Sequence, residues 1–371
     1  MKVPFYDATR EYALYKAEFD KAISGVIATG GFILGKQVQD FEEAVCKYTG
    51  AKYAAGVANG SDALVIASDI LDFKNGAEIL TPVFTFFASA SCIARPGGKP
   101  VFCDVDEDTY CMDMRDAENR ITGKTKGILP VHLFLQTADM TMCMEIAEKH
   151  HLAVLEDAAE AFGMRTLYKG EHKHAGLIGD FGVFSFFPTK TLGGYGDGGM
   201  IVTNNEELYQ KAKSYRVHGS SKKYHHDHIG YNSRLDTLQA AILNVKLSHI
   251  DTAIQKRAEH ATQYRELLKD IAEIKLPVIT QNNKEVNYVF CIQAERRDAL
   301  DNYLKSKEIG TSIYYPVPLH LQKCFEYLGY KKGDFPVAER LCGTVLALPL
   351  FPELTEDEVS FVGESIKAFY K

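Results

Sequence analysis

The chain has 371 residues, 46% of them hydrophobic and 25% charged, with a formal net charge of −7 and a pI near 6.0. These values suit a globular protein of roughly two domains and exclude the basic footprint of a nucleic-acid-binding domain. The stretch MKVPFYDATREYALYKAEF lacks a signal-peptide apolar run, and no run is apolar and long enough to cross a bilayer; the expectation is a cytoplasmic protein with no membrane or nucleic-acid partner. Cys46, Cys92, Cys103, Cys111, Cys143, Cys291, Cys324 and Cys342 form no C-x-x-C pair, which removes support for zinc-ribbon and thioredoxin-like readings. Most lie in apolar stretches and read as reduced, buried thiols.

In chain order, residues 78–82, 99–105, 127–133, 152–156, 181–186 and 199–203 read as strands, and 61–71, 139–150 and 204–217 carry helical spacing. That alternation predicts an α/β domain with a largely parallel sheet. The periodic segment 234–268 predicts one long helix bridging two domains. Beyond it, strands over NYVFCIQA and GTSIYYP mix with helices over ALDNYLKSK, AERLCGTV and EDEVSFVGESIKAFY, as in a smaller α+β domain.

Three segments carry candidate chemistry. Asn59-Gly60-Ser61 precedes a helix, where free backbone N–H groups can cradle a phosphate; a plain N-cap by Ser61 is the simpler alternative. Asp157 ends an apolar strand, at the edge where parallel sheets gather ligands. The spacing Asp157 to Glu160 also fits a helix capping box, and for the segment alone that reading is favoured. Lys190 lies between two strands, followed by five glycines in seven residues. The spacing is neither a P-loop nor a dinucleotide fingerprint. Either the loop is flexible and its lysine solvated, or the glycines form a wall against a bound ring. A lysine, a carboxylate and a phosphate cup together are what pyridoxal phosphate requires.

On FSFFPTK, GGYGDGG, LEDAAEAFG and GYNSRLDTLQAAIL, the chain resembles the DegT/StrS family of nucleotide-sugar aminotransferases, from VPFYD at residue 3 to LPLFP at 348–352. The resemblance implies an α/β fold of the type I aspartate-aminotransferase kind. A large mixed-sheet α/β domain would occupy 1–245, N-terminal segment included, and a smaller α+β domain 246–371. Lys190 would be the Schiff-base lysine and Asp157 the partner of the pyridine nitrogen. Ser185 with Gly60 and Ser61 would hold the phosphate, and Phe86 would stack on the ring unless it is ordinary core. Asn232, opening the long helix, would reach the phosphate site of a second subunit, implying a homodimer with shared active sites. Arg234 would bind substrate or form a helix-surface ion pair.

Three positions depart from the family pattern. Glu160 stands where many relatives have glutamine and would face the cofactor's 3′ oxygen. His132-Leu133-Phe134-Leu135 replaces HLYG, and Tyr314 replaces the first histidine of a motif that keeps Tyr315 and His320. NGSDAL and KKYHHDHIGYNSRLD resemble enzymes acting on 3-keto nucleotide sugars, of the UDP-2-acetamido-2-deoxy-3-oxo-glucuronate type. Arg216, His218, Lys222, Lys223, Tyr224, His225, His226 and Arg234 would offer groups to a diphosphate or a carboxylate, or else form a solvated basic loop. The resemblance implies an amino-acid donor such as L-glutamate, no metal, and a product for surface polysaccharide or glycoconjugate synthesis. A 4-keto substrate is the alternative. Related sugar dehydratases replace the lysine, which is present here, and a non-enzymatic regulator would have no use for lysine, carboxylate and cup together.

Overall fold

The computed structural model describes residues 1–280 and 283–371. Three helices open the chain: α1 (Ala8–Leu14), α2 (Lys16–Thr29) and α3 (Lys36–Thr49). α2 and α3 each end on a left-handed glycine, Gly30 and Gly50, the usual helix stop. Val38, Phe41 and Val45 form a buried stripe on α3, which packs on a later helix.

The α/β alternation follows: β1 (Tyr53–Val57), α4 (Gly60–Ile70), β2 (Glu78–Pro82), α5 (Ala88–Ala94), β3 (Lys99–Cys103), α6 (Met114–Asn119), β4 (Thr125–Ile128), α7 (Met140–His150) and β5 (Ala153–Asp157). A hairpin, β6 (Arg165–Tyr168) and β7 (Glu171–His174), precedes β8 (Phe181–Ser185), β9 (Gly199–Thr203) and α8 (Glu206–Tyr215). Seven strands form one mixed sheet in the order β1-β9-β8-β5-β4-β2-β3. β9 runs antiparallel to both neighbours, and the remaining pairings are parallel. Two expected strands are shorter than their apolar runs. At β3 the chain leaves the sheet when the Asp104 N–H turns to the Asp116 carboxylate, and after β4 only Val131 bridges Asp157.

The remaining elements are the small hairpin β10 (Ser220–Lys222) and β11 (His225–His226), α9 (Thr237–Ser248), α10 (Ile250–Leu268), β12 (Ile274–Lys275), β13 (Asn283–Lys284), β14 (Phe290–Ala294), α11 (Arg297–Ser306), α12 (Pro336–Thr344), β15 (Val345–Leu348) and α13 (Glu356–Tyr370). The single helix expected over 234–268 is therefore two. His249 breaks it, with φ −110° and ψ 4°, its ring stacked on Tyr15 at 3.9 Å and its Nε2 3.0 Å from Glu18. No strand forms over 310–316, where Ser312 makes one isolated bridge to Ala347. The helix read over AERLCGTV gives way at Val345 to a strand that joins β12 and β14 in a three-stranded sheet. That sheet, α10, α11 and α13 enclose a core that includes Tyr264, Phe290, Leu346 and Val359. None of the eight cysteines is paired, and six are buried.

Alternation along β5 puts Glu156 and Asp157 on opposite faces. The Glu156 carboxylate is fully buried and accepts four hydrogen bonds, from His132 Nε2 at 2.9 Å, Gly176 N at 2.9 Å, and Ile178 and Gly179 N at 2.6 Å each. His132 Nδ1 accepts from the Ala138 N–H at 3.1 Å, so the proton lies on Nε2 and the ring donates to Glu156. Burial raises the Glu156 pKa, but His132 and the glycine N–H groups outweigh it and the net shift is downward. A lowered folded value stabilises the fold above the ordinary carboxylate range, and the contribution is lost as pH falls through that lowered value. Glu156→Gln puts an NH2 where two donors now point and should cost about 2–4 kcal/mol, read as a reduced urea midpoint at pH 7 with the deficit shrinking in acid.

Candidate active site

The C-terminal ends of β1, β2, β4, β5 and β8 open onto one cavity of about 490 Å³, the edge of a parallel sheet where ligands collect. Of the residues singled out by sequence, Asn59, Gly60, Ser61, Phe86, His132, Leu133, Asp157, Glu160, Ser185, Lys190, Tyr314 and Tyr315 line it.

Asp157 is 4% exposed. Its Oδ2 accepts from Ser89 Oγ at 2.7 Å, and its Oδ1 accepts from the Ala159 N–H at 3.2 Å. Ser89 Oγ lies 3.1 Å from Thr85 Oγ1, which extends the network to the loop after β2. Burial raises the Asp157 pKa, and the two hydrogen bonds offset this only in part. The capping-box reading fails here, because residues 158–163 form turns and no helix follows. Glu160 instead faces the cavity, its Oε1 3.1 Å from Lys190 Nζ and its Oε2 accepting from the Phe134 N–H at 3.1 Å.

Lys190 sits in a turn closed by its N–H on the Phe187 carbonyl, with Nζ 4.5 Å from the centre of the Tyr288 ring. Burial works against the ammonium, but the charge of Glu160 outweighs it and the lysine pKa rises. The glycines after Lys190 pack against a helix. A Cβ at Gly194 or Gly196 would approach the Gln239 amide of α9 to 2.8 Å, and that amide accepts from the Tyr195 N–H at 2.9 Å. The loop backbone thus packs on α9, and of its residues Asp197 reaches the cavity.

The cap of α4 is Asn59, whose side chain accepts from the Asp62 N–H at 2.7 Å; Ser61 lies inside the first turn and does not cap. The N–H groups of Gly60 and Ser61 therefore head the helix without intrahelical partners and border the cavity beside Ser185. That is an anion site by geometry and dipole. Gly60 is required by contact, since a Cβ there would lie 2.7 Å from Ser185 Cβ.

Phe86 is 56% exposed, which excludes the core-packing reading. His320 is buried, 3.1 Å from Glu339 and against the Phe335 ring, away from the cavity; it packs the C-terminal region and does not face the site. Arg216 is buried as well, donating to Glu42 at 2.5 Å and to the Gly56 carbonyl at 2.8 Å, so it is not part of a solvated loop, and it does not line this cavity. Asn232, Tyr224 and His225 are exposed, and Arg234 makes no ion pair among the described residues. None of these four lines the cavity, and Asn232 precedes α9 by five residues instead of opening a helix. Ser89, Thr85, Tyr288 and the Phe134 N–H were not singled out, because each acts through a contact between distant segments that no local spacing marks.

The fold and this cavity define an aminotransferase. Residues 14–367 match the DegT/DnrJ/EryC1/StrS aminotransferase family, and the chain belongs to it. It is 45% identical to the pleiotropic regulatory protein of Geobacillus stearothermophilus, over 100% of this chain and 99% of that one. It is 40% identical to the UDP-N-acetyl-3-dehydro-alpha-D-glucosamine 3-aminotransferase of Acidithiobacillus ferrooxidans, over 98% and 97%. The crystal structure of S. venezuelae DesV in complex with a ketimine intermediate superposes with a TM-score of 0.96 at 36% identity, covering 100% of this chain and 99% of that one; the fold is the type I aminotransferase fold.

Gly60→Ala should cost about 1–3 kcal/mol through overpacking. Adding Ser185→Gly, which removes the opposing Cβ, should recover part of that loss as a coupling of about 1 kcal/mol in a double-mutant unfolding cycle.

Proposed function

We propose that this chain is a pyridoxal 5′-phosphate-dependent aminotransferase that transfers an amino group from an amino acid such as L-glutamate to the 3-keto position of a nucleotide-linked sugar. The observation that carries the reading is the convergence of Lys190, Asp157 and the α4 N-terminus on one cavity. These groups fit the cofactor. The helix N–H groups with Ser61 and Ser185 suit a phosphate, and the exposed Phe86 face suits a ring. Asp157, whose burial favours the protonated form, becomes a stable anion once a cationic N–H lies against it.

When bound, the cofactor supplies an aldehyde for covalent capture and a ring that accepts electrons. Lys190 Nζ, relieved of its proton, is the nucleophile, and the same nitrogen then takes and returns the substrate proton. Asp157 holds a proton on the ring nitrogen. Ser89 and the Ala159 N–H fix the carboxylate so that no reorganisation is needed at the moment of reaction. The 3-keto position is supported by the 40% relative's 3-aminotransferase activity. A regulatory name attaches to the 45% relative, but a pure regulator gives no reason for Lys190 and Asp157 to share a cavity.

The active unit we propose is a homodimer. Lys190 is the one lysine or arginine among the described residues that line the cavity, yet a diphosphate and a donor carboxylate need more donors. The exposed Lys222, Lys223, Tyr224, His225 and Asn232, with the half-buried Arg234, would supply them from the second copy, and Phe86 and Phe187, 56% and 50% exposed, would be covered.

Lys190→Ala should abolish transamination of 3-keto nucleotide sugars while the fold stays intact by circular dichroism, with the unfolding midpoint lowered by the unpaired Glu160; wild-type turnover in a mass-spectrometric assay overturns the assignment. A 4-keto sugar run in parallel tests the position. Asp157→Asn can keep its amide oxygen on the Ala159 N–H while its NH2 donates to the Ser89 hydroxyl in place of the present bond, and should lower kcat at least ~100-fold for a stability change of about 1 kcal/mol. Mixing Lys190→Ala with Asn232→Ala under subunit exchange should restore activity at low cofactor, since one site of each heterodimer regains both residues. An active monomer, or no restoration despite exchange, rules out shared sites.

A further inference from the structure

We propose that Glu160 is a positioning residue that sets the proton affinity of Lys190, holding the lysine nitrogen cationic until the reaction draws the proton away. The inference rests on the cofactor reading above but concerns a contact within this chain. Glu160 Oε1 lies 3.1 Å from Lys190 Nζ, and Oε2 accepts from the Phe134 N–H at 3.1 Å. Both oxygens face N–H donors, the arrangement of an ionised carboxylate, and Glu160 is 7% exposed. Phe134 itself is held by its loop: the His132 N–H bonds the Asp157 carbonyl at 3.0 Å and the Gln136 N–H bonds the Leu133 carbonyl at 2.9 Å. The carboxylate is thus aimed at the lysine by a fixed backbone donor.

No other group near Lys190 can replace that charge. Tyr288 presents its ring face to the ammonium at 4.5 Å. Burial pushes Tyr314 up to about 12 and Tyr315 well above its ordinary value, so both phenols are neutral at physiological pH. Asp157 from β5 is biased by burial toward its protonated form and is committed to Ser89. Asp197 and His132 line the same cavity, but His132 is occupied by Glu156 and the Ala138 N–H, and no hydrogen bond or ion pair joins Asp197 to Lys190 among the described residues. Glu160 is the hydrogen-bonded counter-ion. A glutamine at this position would keep an acceptor for the Phe134 N–H, remove the charge and turn an NH2 toward Nζ in place of the Oε1 acceptor. The proton on Nζ would then be held less tightly, favouring the nucleophile over the ammonium at neutral pH.

The test compares wild type, Glu160→Gln and Glu160→Asp in two pH titrations of the full chain. The first follows the visible absorbance of the cofactor-loaded protein. The second follows acetylation of Lys190 by acetic anhydride after cofactor removal, read by mass spectrometry of the Lys190 peptide. Removing an anion destabilises the cationic form, so the Glu160→Gln midpoint should fall by at least about one pH unit, a tenfold loss of proton affinity. Glu160→Asp, which keeps the charge, should recover most of the shift, whereas loss of a merely structural contact would move both variants alike. Equal midpoints in wild type and Glu160→Gln overturn the proposal. A wild type that never develops a visible band overturns the cofactor reading instead, and the acetylation midpoints then decide the role of Glu160 alone.

Discussion

The site depends on a carboxylate that never reaches it. Glu156, behind β5, gathers His132 from the loop after β4 and three backbone N–H groups from the turn before β8. Those are the strands on either side of β5 in the sheet, so a single buried side chain ties the ends of three neighbouring strands. An unpaired charge at that depth would be strongly destabilising, and four donors make it tolerable. The same ties fix what faces the cavity. The His132 N–H bonds the Asp157 carbonyl, the loop from His132 to Phe134 carries the donor that aims Glu160, and Glu160 holds Lys190. Position therefore passes from a core carboxylate to the reactive lysine through contacts of about 3 Å, with no long side chain left to find its own rotamer.

The same logic accounts for what was legible in the sequence. Strands β2, β5, β8 and β9 announce themselves as short apolar runs, since strands buried on both faces read as continuous hydrophobic stretches. β1, whose small residues Ala54, Ala55 and Gly56 carry little β-propensity, does not. α1 and α2 escape because α1 buries no residue and α2 buries only Phe19 and Val26, too few to mark a period, whereas the Val38, Phe41 and Val45 stripe of α3 is a helical period that the sequence does carry. The break at His249 is invisible for another reason: no proline or glycine causes it, and it arises from stacking on Tyr15 and pairing with Glu18, more than two hundred residues away. His320 stands in a motif that points to substrate, and its burial against Phe335 and Glu339 is a fact of tertiary packing alone.

Asp157 and Glu160 illustrate the limit most clearly. Three residues apart after a strand, two carboxylates match a helix start as well as they match a site, and local spacing favours the helix. The outcome turns on residues 158–163, where the Ala158 N–H bonds the Val183 carbonyl of β8 and the Ala161 N–H bonds Ala158. A cap at Asp157 would leave the Ala158 N–H free for β8 in any case; the helix is excluded because the Ala161 bond closes a single turn and no helical ladder follows it. The turns at 158–163, and not the spacing of the two acids, decide against the capping box. Once they do, Glu160 turns toward Lys190.

Charge then separates the roles of the two acids. Both are buried at the same cavity, yet Asp157 accepts from a hydroxyl and one backbone N–H while Glu160 accepts from a backbone N–H and an ammonium. A hydroxyl and a backbone N–H leave the first carboxylate with a raised pKa, in need of a cationic partner. The second already has one. Two acids whose surroundings differ in this way can serve a ring nitrogen and a lysine at the same pH without competing for one proton. Exchanging Ser89 for a cation, or Lys190 for a neutral group, would erase that difference and with it the division of labour between them.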